Sequence, residues 1–174
     1  MAEIKAVDHV KEGLGVFTGN LVPSLVMIVG LMVPILGIFV VLNYMSGVKA
    51  FKESGKAIEI GDLFKFDNAG NILIGMIVWG VLLSVGFTLC VIPGMILLVL
   101  TYFFPCILAD KPEMPWMDAL KASLAFGKAN LVPSLILMII AGIAGMFWIT
   151  LPIGIAGQML AYMAHKDEIL GAGA

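Results

Sequence analysis

Three long stretches of this chain, residues 20–48, 71–109 and 130–164, contain no Asp, Glu, Lys or His. Charge-free runs of that length fold most cheaply inside a bilayer, where about 20 apolar residues already make a crossing helix. The composition agrees: 61% of the chain is hydrophobic and 13% charged, with mean hydropathy +1.08. A soluble domain carries roughly 45–50% apolar residues. The 174 residues suit a single membrane domain over 1–174.

All the charge lies around and between the three blocks, and every charged segment carries Lys: Lys5 and Lys11, then Lys49 to Lys65, then Lys111, Lys121 and Lys128, then Lys166. One crossing per block would alternate these segments between the two sides. Two crossings per block put them all on one side, and the positive-inside bias makes that side the cytoplasm. The expectation is therefore an all-α polytopic protein of three helical hairpins, about six membrane helices, in the cytoplasmic (inner) membrane with both termini cytoplasmic. Each block has a charge-free break where Pro and Gly favour a turn. These are Pro34 and Gly37 in "VPILG", Pro93 and Gly94 in "CVIPG", and Pro152 and Gly154 in "WITLPIG". The first block, 29 residues, is long for one helix and short for two spans, so a tilted single helix and a shallow re-entrant hairpin both stay open, with the hairpin preferred. The start "MAEIKAVDHVKEG" does not read as a cleavable signal peptide.

The hexapeptide NLVPSL occurs twice, from Asn20 and from Asn130, each time where a charged segment meets an apolar block. An offset of 110 also pairs Asp8 with Asp118 and Lys11 with Lys121, which reads as a parallel internal repeat. Its halves run approximately over 9–55 and 119–165, about a central hairpin at 71–109. Asn20 and Asn130 suit a helix N-cap through the side-chain oxygen, and Pro23 and Pro133 suit the first helical turn, so these four residues mark the points of membrane insertion. Upstream, Val7, Val10, Leu14 and Phe17, and again Met117, Leu120 and Leu124, fall at helical spacing among charges. Both segments are expected to be amphipathic helices lying in the interface.

Between the first two blocks, Lys56–Asn71 sets Phe64 and Phe66 among acids and lysines, where headgroup-level anchoring is the expected role. Trp116, after Pro115, is a third interfacial anchor. Asp110 reads as a solvated acid closing a membrane helix. Cys90 and Cys106, without Cys-x-x-Cys spacing or a neighbouring His, read as small buried thiols.

The run "VIPGMILLVLTYFFPCILADKPEMPWMDALKAS", Val91–Ser123, with "IGDLFKF" before it and "GKANLVPSLIL" after it, resembles an uncharacterised group of bacterial integral membrane proteins. That group shows an IPG turn, a Tyr- and Pro-bearing helix end, ILAD-x-P, AL-x-x-S and a Gly-Asn-like start to the next helix. The chain is similar too to membrane portions found beside some glycerophosphodiesterase domains. The resemblance implies a membrane architecture and no activity, so no catalytic residue is carried over. The chain departs from the pattern at Cys106, where a bulkier residue is expected, and in having no Arg.

Function classes narrow accordingly. The 10 basic and 12 acidic residues make no single-sign field for nucleic acid. The apolar blocks hold Ser and Thr but neither His nor carboxylate, so no catalytic, cofactor or metal residue is expected. Ion-coupled transport relies on ionisable groups at depth, and the blocks have none. Small residues four apart, Gly80 and Ser84, Ala141 and Gly145, Gly157 and Ala161, favour tight helix packing within the chain or between copies. The expected protein is a non-enzymatic interaction or membrane-organising component, a scaffold or curvature device. Its partners are membrane lipids and either a second copy or another membrane protein. A small oligomeric transporter or channel for an uncharged or small solute is the alternative.

Overall fold

The computed structural model describes residues 5–173; Met1–Ile4, which open the expected domain, and Ala174, which ends it, lie outside. Among the described residues the protein is all-helical, with no strand. Three helices are long and apolar enough to cross a membrane, or up to five if each of two bent pairs counts as one span. Fewer than six helices reach that length.

Helix α1 (Ala6–Gly19) turns through 98° at Asn20 into α2 (Leu21–Gly30), and a short turn leads into α3 (Pro34–Ser54). The first apolar block is thus two helices that pack on each other, not one tilted rod. Helix α3 ends at Gly55, whose φ of 68° suits a residue without a side chain and whose N–H bonds Phe51 O at 2.9 Å. A 3-10 turn at Ile60–Phe64 precedes α4 (Ala69–Leu89). Cys90 alone separates α4 from α5 (Val91–Leu100), which continues into α6 (Phe104–Asp110). Helix α7 (Trp116–Ala129) bends through 104° at Asn130 into α8 (Leu131–Ala144). A second 3-10 turn, Trp148–Thr150, leads to α9 (Leu151–Ala164) and the short α10 (Lys166–Gly171).

The residues expected to form turns do something more specific. Pro34, Pro93 and Pro152 each fall in the first turn of the returning helix, where the missing N–H costs little. The glycines let the arms close. A Cβ on Gly94 would lie 2.5 Å from the Phe87 ring, and one on Gly154 would lie 2.5 Å from Ala141 O. Gly37 approaches the Leu31 backbone, where a Cβ would stand at 3.0 Å.

The three helix pairs form a ring of mutual contacts: α3 meets α6, α5 meets α8, α6 meets α9, and α9 meets α3. Tyr44, Phe103, Phe104, Ile107, Leu137 and Met159 fill the middle with almost no exposure. Around this ring each charged segment lies on the helix pair before the one it introduces. The Ile60–Phe64 turn lies on α2 and α3, and α7 lies on α4, α5 and α6. Helix α1 closes the circle by packing on α8 and α9. The α1–α9 contact is close because both backbones are bare: a Cβ on Gly13 would lie 2.7 Å from Ile153 O, and Gly157 faces Val10. The apolar spacing of α1 is shared between two surfaces. Ala6, Gly13 and Val16 face the protein, while Val7 and Leu14 remain exposed.

One thiol departs from expectation. Cys106 is buried, but Cys90 is exposed, because it occupies the outermost point of the α4–α5 turn.

Candidate functional site

Both NLVP bends share one local geometry. Asn20 has φ −132° and ψ 47°, and Asn130 has φ −128° and ψ 39°. Each side-chain amide donates back to the carbonyl four residues earlier, Asn20 Nδ2 to Val16 O at 3.1 Å and Asn130 Nδ2 to Phe126 O at 3.2 Å. Neither side chain caps the helix that follows. The expected N-cap fails for a physical reason. An Asn oxygen caps through the N–H of the second or third helical residue; Pro23 or Pro133 removes the third, and each side-chain amide is already turned back onto the preceding helix. Asn20 Oδ1 instead accepts the Ile58 N–H at 2.7 Å, tying the bend to the segment before α4. Both Asn are buried and both Pro are half-buried, so the insertion points sit inside the protein.

Asn71, at the start of α4, has a related job that was not anticipated. Its Nδ2 donates to Pro112 O at 3.0 Å and Met114 O at 2.7 Å, and its Oδ1 accepts the Trp116 N–H at 3.0 Å. A signal was present in the sequence: Asp62-x-x-Lys65 followed by Gly70-Asn71 repeats the order Asp8-x-x-Lys11 followed by Gly19-Asn20.

Asp110 corrects a second reading. It is no solvated helix end: its side chain has 0% exposure. Lys49 Nζ of α3 lies 2.6 Å from Oδ1, Lys166 Nζ of α10 lies 2.7 Å from Oδ2, and the Tyr162 hydroxyl of α9 donates to Oδ2 at 2.9 Å. One carboxylate thus joins all three helix pairs at their charged ends. Removing a charge from water is costly unless it is paired, and here each oxygen faces an ammonium, with the Tyr162 hydroxyl adding a hydrogen bond to Oδ2 alone. Ser46 Oγ reinforces the α3–α6 joint by donating to Ala109 O at 2.5 Å. With both lone-pair faces occupied by ammonium groups, Asp110 acts as a clasp.

The expected anchors divide. Phe64 and Phe66 are exposed, the latter edge-on to Phe39 with centroids 5.1 Å apart. Trp116 is half-buried against α4, where Gly75 makes room for its Cβ. Beside the two Phe, Lys65 bonds Asp62 at 2.8 Å and holds that carboxyl below the ordinary range. Among the described residues no three His, Cys, Asp or Glu converge as a metal site would need. The chain matches no protein-family model, no curated protein and no solved structure.

Proposed function

We propose that this protein is a non-enzymatic membrane-organising scaffold whose three hairpins enter the cytoplasmic membrane from one face to unequal depth. Six helices are inserted, and only the central pair crosses fully. Helix length carries this reading. Helix α2 has 10 residues, and α8 and α9 have 14 each. At 1.5 Å per residue these are about 15 and 21 Å long, short of a hydrocarbon core of about 30 Å. Helix α4 has 21 residues and Val91–Asp110 has 20, about 30 Å each. Helix α3 is one of the three long enough to cross, but Lys49, Lys52 and Glu53 occupy its last turns and leave a shorter charge-free portion before them. Two shallow hairpins and the in-plane α1 and α7 then add area to the cytoplasmic leaflet with little beneath them.

The shared bends support a parallel repeat, extended by Asn71 into three copies of one device: an interfacial segment, an Asn at the mouth, and a hairpin. The filled middle supports a scaffold over a transporter. Several polar side chains at depth are spent on neighbours, Ser24 with Tyr44, Trp79 with Thr101, and Gln158 with Tyr102 O, although the buried Ser134 hydroxyl is not.

Thiol labelling in intact cells and inverted vesicles tests the depths. With Cys106→Ala throughout, native Cys90 is expected to label from outside. In the Cys90→Ala background, Met32→Cys and Met146→Cys at the outer two tips are expected to label from neither side, and Lys56→Cys only from inside. Outside labelling at Met32→Cys and Met146→Cys would mean six full crossings and would sink the shallow-wedge reading.

A further inference from the structure

A cavity of about 260 Å³ lies where α3, the Ile60–Phe64 turn and the end of α6 meet. Leu42, Ile72 and Leu108 form its apolar floor, and Asp62, Lys65 and Asp67 its charged rim. Its wall is built rather than incidental: Asn43 Nδ2, on α3, donates to Leu63 O at 3.0 Å and Lys65 O at 2.8 Å, fixing the rim loop on the helix. Phe64 and Phe66, both exposed, flank it at the level where aromatic rings meet headgroups.

We propose that this cavity takes the headgroup of a zwitterionic phospholipid carrying a primary ammonium, such as phosphatidylethanolamine. The inference rests on the membrane-face placement above. The rim holds both signs of charge close together. Asp62 is already shared by Lys65 at 2.8 Å and Lys56 at 3.9 Å, so it orients the lysines rather than meeting a cation alone. Lys65 supplies a point charge for the phosphate. Asp67 makes no ion pair or hydrogen bond among the described residues and is open to an ammonium. Three N–H donors on that ammonium satisfy a carboxylate, which a quaternary choline cannot do. In the lining itself a headgroup with net negative charge meets Asp62 and Asp67 against Lys65, while Lys56 lies outside it and pairs with Glu59, so such a headgroup is disfavoured. Asp118, paired with Lys121 in another Asp-x-x-Lys, does not line this cavity, which makes Asp118→Asn a control.

The test uses the full chain in vesicles of phosphatidylethanolamine, phosphatidylcholine and phosphatidylglycerol in equal parts. The protein is extracted in detergent, washed, and its retained lipid quantified by class. Phosphatidylethanolamine is expected to exceed phosphatidylcholine by about fivefold, the scale of one partly exposed charge pair. Asp67→Asn should abolish that excess and Lys65→Ala reduce it, while Asp118→Asn keeps it; helicity by circular dichroism confirms that each variant is folded. Equal retention of the three lipids, or an excess of phosphatidylglycerol, overturns the proposal. So does retention abolished by soluble phosphoethanolamine at concentrations too low to matter for a lipid-held group, which would make the ligand a soluble one. Tip labelling reports separately on depth. Loss of the lipid preference with shielded tips removes the pocket alone, and outside-labelled tips with the preference intact remove the wedge alone.

Discussion

The two ends of the helix bundle are held by different physics. At the charged end, hairpins are tied to one another by polar side chains: Asp110 to Lys49, Lys166 and Tyr162, Asn71 to the Pro112–Trp116 segment, Asn20 to Ile58. At the apolar end the hydroxyls turn inward on their own chain, Ser84 to Gly80 O, Thr88 to Ser84 O and Thr150 to Phe147 O. There the arms meet through bare glycine backbone, as at Gly86 and Gly94. The protein spends its long-range side-chain specificity at the charged end, where polar groups of different hairpins meet, and leaves the other end to backbone packing.

The largest expected effect is at the clasp. Asp110→Ala leaves two ammonium groups facing each other without their counterion, at a cost of about 3–5 kcal/mol, the scale for breaking a buried pair. Thermal unfolding in detergent should show a large fall in Tm. Phe147→Ala at an exposed tip should leave Tm nearly unchanged, since its 69% exposed ring touches little. Equal losses at the two sites would erase the contrast between the ends.

Next comes the packing of the apolar end itself. A side chain on Gly154 meets a carbonyl of α8 at 2.5 Å, and backbone cannot step aside as a side-chain tip would. Gly154→Val should cost about 1–3 kcal/mol by overpacking. Gly142→Val, with open space around it, should be silent in the same melts. If the two behave alike, α8 and α9 are not in backbone contact.

Asn71→Ala is expected to be milder, about 1–2 kcal/mol, because its stranded partners are only part-buried and water can reach some of them. Its signature is local. Hydrogen exchange should rise at the Trp116 amide and the start of α7 while α9 stays protected, whereas a global loss of protection would place Asn71 in the core rather than at a joint.

Much of the chain's outline is legible in sequence because charge-free blocks and in-block Pro and Gly are local signals. The hairpin breaks, the two bends at Asn20 and Asn130, and the amphipathic character of α1 and α7 all follow from residues near one another. Asp110 illustrates what does not. Beside Lys111 at a helix end it looks solvated, and its burial comes from Lys49 and Lys166, each more than fifty positions away. The same holds for Asn20, whose oxygen accepts from Ile58, thirty-eight positions on, rather than from the helix it opens. Cys90 misleads in the opposite direction: an apolar neighbourhood in sequence signals burial in water, but in a bilayer it also marks a surface.

The smallest expected effect is the exposed counterpart of the clasp. Asp62, partly exposed, accepts from Lys65, and its carboxyl is held below the ordinary range chiefly by that hydrogen bond, with burial working against it. A depressed folded value means that the pair's stabilisation is complete above the unfolded value of about 4 and is lost as pH falls through the folded one. The Tm difference between the native chain and Asp62→Asn should therefore be small at neutral pH and vanish in acid. Solvent screens this pair more than it screens Asp110, so the two carboxylates make a measure of burial: same residue type, two lysines each, and a large effect only where water is shut out. An Asp62→Asn loss as large as that of Asp110→Ala would show that the rim loop, rather than the clasp, holds the charged end together.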